Sequence, residues 1–224
     1  MDISFLNQNQ QKAVIHKDGP MLVLAGAGSG KTSVLTNRIA YLIEEGVSPA
    51  NILAITFTNK AAREMKERVT KLIGSDARYI QISTFHSFGL KIIKENYEFL
   101  GYDKNFIILD SDDTLTVVKK LMKDLNMNPK FYNARELRSK ISSAKNELIP
   151  PEKFKKQEFD EKVVTLYKKY CQKLKAGNSV DFDDLLVLPI KLFEISPNIL
   201  NSYQERYQYI LIDEYQDTNE AQYV

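Results

Sequence analysis

The chain has 224 residues, 43% of them apolar, with 31 Lys and Arg against 29 Asp and Glu for a net charge of +2. That is enough apolar material for one large or two small packed domains, no apolar run approaches the length that spans a bilayer, and the start "MDISFLNQNQQKAV" lacks a signal-peptide pattern, so a soluble cytoplasmic protein is expected. The single cysteine, Cys171, rules out an intramolecular disulfide, and His16 and His86 are too far apart for metal-site spacing.

In chain order, β-branched runs alternate with helical patterns. "MLVLA" (21–25), "ILAIT" (52–56), "YIQIST" (79–84), "FIIL" (106–109) and "YILID" (209–213) are apolar at nearly every position and predict strands buried on both faces. Between the first two, "SVLTNRIAYLIEEG" puts Leu35, Ile39 and Leu42 on one stripe and stops at Gly46. Between the second and third, "NKAAREMKERVTKLIG" puts Ala62, Met65, Val69 and Leu72 on one stripe before Gly74. Strand, helix, strand, helix, strand implies parallel crossovers and an α/β sheet.

From residue 111 the pattern is helical only. "DSDDTLTVVKKLMKDL", "ARELRSKISSAKNEL" and "DEKVVTLYKKYCQKLKAG" each carry an apolar stripe, through Leu115, Val118, Met122 and Leu125, through Leu137, Ile141, Ala144 and Leu148, and through Val163, Tyr167, Tyr170 and Leu174. Strand-like sequence returns only at 209, which predicts an all-helical domain (111–186) inserted into an α/β domain (1–110 and 187–224). Residues 111–180 hold 16 Lys and Arg against 9 Asp and Glu, a local net of +7. This block is a candidate polyanion surface, with a solvated helical face as the alternative.

"AGAGSGKT" (25–32) follows an expected strand and opens a helix, as a phosphate loop must. Gly26, Gly28 and Gly30 let backbone N–H groups turn around a phosphate, Lys31 adds a positive charge at its oxygens, and the Thr32 hydroxyl can ligate Mg²⁺. Ala25 stands where the common pattern has its first glycine. Such a loop requires a carboxylate on a nearby strand for the metal and a group that activates water. "ILIDE" offers Asp213 for the first and Glu214 for the second, at the end of a buried strand. A solvated acidic turn is the alternative.

With both motifs in hand, the chain resembles the superfamily 1 DNA helicases of the UvrD/Rep/PcrA type over essentially all 224 residues. The resemblance is carried by "LNQNQ" (6–10), "AGAGSGKT", "AITFTNKAAREM" (54–65), "ISTFHSFG" (82–89), "VDFDDLL" (180–186) and "IDEYQDTNEAQY" (212–223), in family order. It implies a RecA-like first motor domain of the P-loop NTPase class, incomplete here, with the basic helical insertion as accessory domain. It implies ATP held by Gln10 at the adenine and by Ala25, Gly26, Ala27, Gly28, Ser29, Gly30, Lys31, Thr32 and Ser33, Mg²⁺ held by Thr32 and Asp213, and catalysis by Lys31 and Glu214. It further implies single-stranded DNA contacts by Phe57, Asn59, Thr84, Phe85 and His86. Aromatic faces stack on any base, and Thr, Asn and His donate to phosphates without reading sequence; packing in the core is the alternative for Phe57, Phe85 and Phe88, and capping or internal pairing for His86.

Two departures stand out. The family often has an arginine after Gly-Lys-Thr, and here the residue is Ser33. The chain also stops inside the acidic string, which reads as an N-terminal fragment lacking the second motor domain and its arginine fingers. The expected whole is a 3′-to-5′ DNA helicase and translocase acting on single strands and single/double-strand junctions in repair or replication, with possible partner proteins from those processes. The 224 residues alone are expected to be monomeric and nearly inactive. Two other classes fit parts of the sequence: a phosphate-loop ATPase unrelated to nucleic acid, and a binding module without turnover.

Overall fold

The computed structural model describes residues 1–26, 28–154 and 160–224. In chain order its elements are α1 (Gln8–Ile15), α2 (Lys31–Glu44), β1 (Ile52–Thr56), α3 (Asn59–Ile73), β2 (Gln81–Thr84), α4 (Phe85–Glu95), β3 (Ile107–Ile108), α5 (Ser111–Asp124), α6 (Ala134–Asn146), α7 (Glu161–Ala176), β4 (Ser179–Val180), α8 (Asp184–Ile195), α9 (Pro197–Arg206), β5 (Tyr209–Ile212) and α10 (Glu220–Tyr223). They form two compact units, residues 1–85 with 198–217 and residues 86–197 with 218–224. These units change over near 85 and 197, whereas the boundaries expected from sequence fall at 110/111 and 186/187. The difference arises because α4 and α8 pack on each other within the second unit. A Cβ on Gly89 would lie 1.9 Å from the Leu185 carbonyl oxygen, so only glycine permits that approach.

The first unit is built on a parallel sheet of order β2-β1-β5. Ala54 in the central strand is in register with Ile82 on one side and Leu211 on the other. All five residues of β1 are buried, as its unbroken apolar run predicts. Ile39 and Leu42 of α2 and Met65 and Val69 of α3 bury against Ile52, Ala54 and Leu211. Leu72, expected on the same stripe, is exposed; Ile73, one residue on, continues the packing instead. Around α1, the Asn7 side chain accepts from Gln10 N while the Gln10 side chain accepts from Asn7 N, a reciprocal cap. At its other end the buried Arg38 guanidinium donates to the Ala13 and His16 carbonyls, matching acceptors that the helix itself leaves open.

Three strand expectations need correction. "MLVLA" forms no strand: Leu22 and Leu24 are 67% and 86% exposed. Its composition suits a strand buried on both faces, but a strand also requires a hydrogen-bonded neighbour, which composition does not supply. "YIQIST" starts its strand at Gln81 because residues Gly74–Tyr79 wind into a 3-10 helix. "FIIL" contributes only Ile107–Ile108, which pair in the second unit with Ser179–Val180, a strand not expected from sequence.

In the second unit α5, α6 and α7 enclose a core of Val118, Leu121, Ile141, Leu166, Tyr167 and Tyr170. Ile93, Val180, Leu185 and Leu188 form a smaller cluster that seats α4 and α8 on the short strand pair. Among the described residues, no helix is long and apolar enough to cross a membrane.

Candidate functional site

The carboxyl edge of the three-stranded sheet gathers the expected residues of the first unit. Thr56 pairs in register with Thr84, and the Asp213 N–H donates to the Ile55 carbonyl at 2.9 Å. The chains therefore leave β1 at Phe57, β2 at Phe85 and β5 at Asp213 along one edge, where open α/β sheets present ligands.

Lys31 opens α2 behind Gly30, whose φ is +86°, and Gly28 has φ of +73°. Both values lie in the left-handed region, which glycine enters without the Cβ penalty. No side chain caps this helix, so its first N–H groups remain available to an anion. The Lys31 ammonium donates to the Ala25 and Gly26 carbonyls at 3.3 and 3.4 Å and lies 3.8 Å from Glu214 Oε1. These long contacts are ones a phosphate can replace. Ser29 N and Oγ both donate to the Gly26 carbonyl, folding the loop on itself, and Gln10 Nε2 donates to the Ser29 carbonyl at 2.9 Å. The glutamine is thus docked on the loop. Thr32 and Ser33 are half-buried in the first turn of α2. Ala27 lies outside the described residues.

Asp213 is 8% exposed and takes part in no ion pair among the described residues; its Oδ1 accepts the Glu214 N–H at 3.1 Å. Burial, reinforced by the adjacent Glu214 charge, raises its pKa above the ordinary aspartate value. A poorly solvated carboxylate of this kind is suited to a cation. Glu214 has φ of +52°, a left-handed conformation that a non-glycine residue rarely adopts and that costs on the order of 1 kcal/mol. Gln216 Nε2 donates to Glu214 Oε2 at 2.6 Å and holds the side chain from its other oxygen. The role of Gln216 was not legible from sequence, although it lies in the same acidic string. The Thr32 hydroxyl and the Asp213 carboxylate are donors of the kind that suits Mg²⁺, which takes few protein ligands and fills its remaining positions with phosphate oxygens and water.

Of the residues expected to contact DNA, Asn59 is exposed and Phe57 and Phe85 are half-buried, their rings edge to face at 5.8 Å. The two aromatics therefore support each other and still keep accessible surface. Thr84 is buried at the end of β2. His86 begins the second unit, where its ring lies 5.7 Å from that of Phe182, a residue 57% exposed that sequence reasoning had not singled out. Burial lowers the His86 pKa, with the Asp183 charge acting against it, so the imidazole favours its neutral form. An exposed Phe inside "VDFDDLL" was the available signal for this second aromatic.

The same string contains a different kind of carboxylate. Lys145, 5% exposed, donates to Asp181 Oδ2 at 2.7 Å and Asp184 Oδ1 at 2.8 Å, and the Tyr170 hydroxyl donates to Asp181 Oδ2 at 2.8 Å. Burial disfavours charge on Lys145, but Asp184 and Asp181 outweigh it and hold its pKa well above normal. One lysine of the basic block is thus used internally, while Lys119, Lys120, Lys168 and Lys169 are exposed.

Residues 6–224 match the family described as UvrD/REP helicase N-terminal domain. The chain is 53% identical to the ATP-dependent DNA helicase PcrA of Bacillus subtilis strain 168 over 226 residues, which cover 99% of this chain and 31% of that protein. It is 48% identical to PcrA of Staphylococcus aureus strain Mu50 over 99% of its length and 31% of the relative, and 49% identical to PcrA of Staphylococcus epidermidis over 97% and 30%. The chain therefore spans just under a third of the length of these curated relatives.

Proposed function

The chain belongs to the UvrD/REP helicase N-terminal domain family, and from that premise we propose that it is the nucleotide-binding part of an ATP-dependent DNA helicase that moves 3′ to 5′ along single strands. Residues 1–110 and 187–224 act as a RecA-like motor domain built on the three-stranded sheet, and residues 111–186 as its inserted accessory domain. Gln10 reads the adenine, and the loop from Ala25 to Ser33 wraps the phosphates. Lys31 sits at the β and γ oxygens, which take the place of its long contacts to the Ala25 and Gly26 carbonyls.

Thr32 and Asp213 hold Mg²⁺, which when bound neutralises developing charge on the phosphate oxygens. Glu214, anchored through Gln216, accepts the proton of the attacking water. Phe57, Asn59, Thr84, Phe85 and His86 line the single strand, with Phe182 as a further stacking face. Arginine fingers of a second motor domain, supplied from outside these residues, complete catalysis. Comparable groups contribute roughly 10³ to 10⁵ in rate, so the 224 residues alone turn over slowly. Loading at single/double-strand junctions, repair or replication partners and a cytoplasmic setting complete this reading.

The observation that carries it is Lys31, opening a helix behind two left-handed glycines and facing Glu214 at 3.8 Å. The test is ATP hydrolysis by the full-length protein with and without a single-stranded oligonucleotide. Turnover stimulated by DNA is expected. Turnover indifferent to DNA would favour a phosphate-loop ATPase unrelated to nucleic acid.

A further inference from the structure

Asn146, at the last position of α6, has a saturated carboxamide. Its Nδ2 donates to the Ser142 carbonyl at 2.9 Å and to Asp183 Oδ1 at 2.9 Å, while its Oδ1 accepts from Asn219 Nδ2 at 2.8 Å. Asn219 keeps its other function on a different atom: its Oδ1 accepts the Gln222 N–H and caps α10. Along the chain Asn219 lies five residues beyond Glu214, at the tail of the acidic string. At the other end of the bridge, Asp183 follows Phe182, whose ring neighbours His86, and the Asp183 charge reaches the His86 imidazole. A planar amide with both donors and its acceptor engaged does not rotate without losing hydrogen bonds in a half-buried setting, where unmatched polar groups are costly. Movement at either end must therefore be followed by the other end or break the bridge.

We propose that Asn146 is a positioning residue that couples DNA engagement to nucleotide hydrolysis, by tying the tail of the acidic string to the Asp183 carboxylate beside Phe182 and His86. The inference rests on the nucleotide-and-DNA reading above and adds a residue of the inserted helices to it. Asparagine suits the position because aspartate would set a carboxylate against Asp183, while alanine would leave the Asn219 amide N–H unmatched and Asp183 with Ser142 alone of its two side-chain hydrogen-bond partners.

The experiment uses the full-length protein and follows ATP turnover without DNA, turnover at saturating single-stranded oligonucleotide, and the DNA concentration for half-maximal stimulation. Two variants break the bridge at different links. Asn146→Ala removes both links, and Asn219→Asp loses the donor to Asn146 while keeping a good helix cap, so it remains informative should Asn146→Ala melt early. Each is expected to lower the stimulation by DNA about 5- to 150-fold, the usual range of intersite coupling, with DNA-independent turnover and KM for ATP unchanged. The double variant should fall no further than Asn146→Ala, because the bridge is broken only once. Wild-type stimulation in both variants, or a parallel loss of basal and stimulated turnover, would overturn this inference alone. A wild-type protein without any response to DNA would overturn the functional reading as well.

Discussion

Two acidic strings of this chain, "VDFDD" and "ILIDE", look alike in sequence and have opposite environments in the structure. In the second unit Asp181 is matched by Lys145, Tyr170 and the backbone N–H of Asp184, a closed set in which every partner is protein. In the first unit Asp213 is also buried, though less deeply, and has no ion pair among the described residues, beside a glutamate in a left-handed conformation and a lysine held by long contacts. Burial penalises charge in both places. Where a buried protein cation pairs with it, as at Asp181, the carboxylate holds the fold; Asp213 feels the Lys31 charge without an ion pair among the described residues, as its proposed metal role requires.

Substitution at Glu214 should have the largest effect. In the full-length protein Glu214→Gln should lower hydrolysis by about 10² to 10⁴, the usual contribution of a general base, while nucleotide still binds. Single-turnover hydrolysis beside equilibrium binding checks this, and loss of binding with an intact rate per bound ATP would reverse the assignment. Next comes the aromatic edge. Phe57→Ala should weaken single-strand affinity by about 1 to 3 kcal/mol, roughly 5- to 150-fold, with the melting temperature nearly unchanged because the ring is half-buried. A core phenylalanine would instead cost about 3 to 5 kcal/mol of stability. Anisotropy titrations and thermal melts on one preparation distinguish the two.

The smallest effect is that of pH. The raised pKa of Asp213 means that on acidification it takes up a proton earlier than an ordinary aspartate, and the proton competes with the metal. More Mg²⁺ should therefore be needed for nucleotide binding as pH falls through that raised value. Asp181 goes the other way: burial opposes its charge, Lys145 overrides that, and its pKa is lowered. Its contribution to stability is fully present above the unfolded aspartate value of about 3.9 and is lost only as pH falls further through the folded value. On acidification, metal affinity should weaken at a higher pH than stability does; a simultaneous decline of both in a pH series would remove the distinction.

Much of this was legible in sequence for identifiable reasons. Ile52–Thr56 and Gln81–Thr84 are strands where the apolar runs place them, and Met65 and Val69 lie on the buried stripe that the helical period picks out. "MLVLA" is similarly apolar but pairs with no strand among the described residues, and pairing is a property of two segments that one segment cannot reveal. The helix Asp184–Ile195 is mostly apolar and contains Pro189, so periodicity gave it no outline. Lys145 looked like any other lysine of the basic block until α6 brought it to Asp181 and Asp184, distant in sequence. Local geometry, such as the left-handed glycines and the helix-opening lysine of residues 28–31, is written contiguously and could be read. Which carboxylates find a protein cation depends on contacts across the chain and could not.

The contrast between the two aspartates is tested most directly by one measurement on Asp213→Asn and Asp181→Asn in the full-length protein: the Mg²⁺ dependence of binding of a non-hydrolysable ATP analogue, with melting temperatures taken on the same samples. Asp213→Asn should lose the enhancement of binding by Mg²⁺ and keep its melting temperature. Asp181→Asn should keep the enhancement per folded molecule and melt earlier, since removing one partner of a buried ion pair costs up to about 3 to 5 kcal/mol. Enhancement by Mg²⁺ at the wild-type level in Asp213→Asn would contradict the assignment of that carboxylate to the metal.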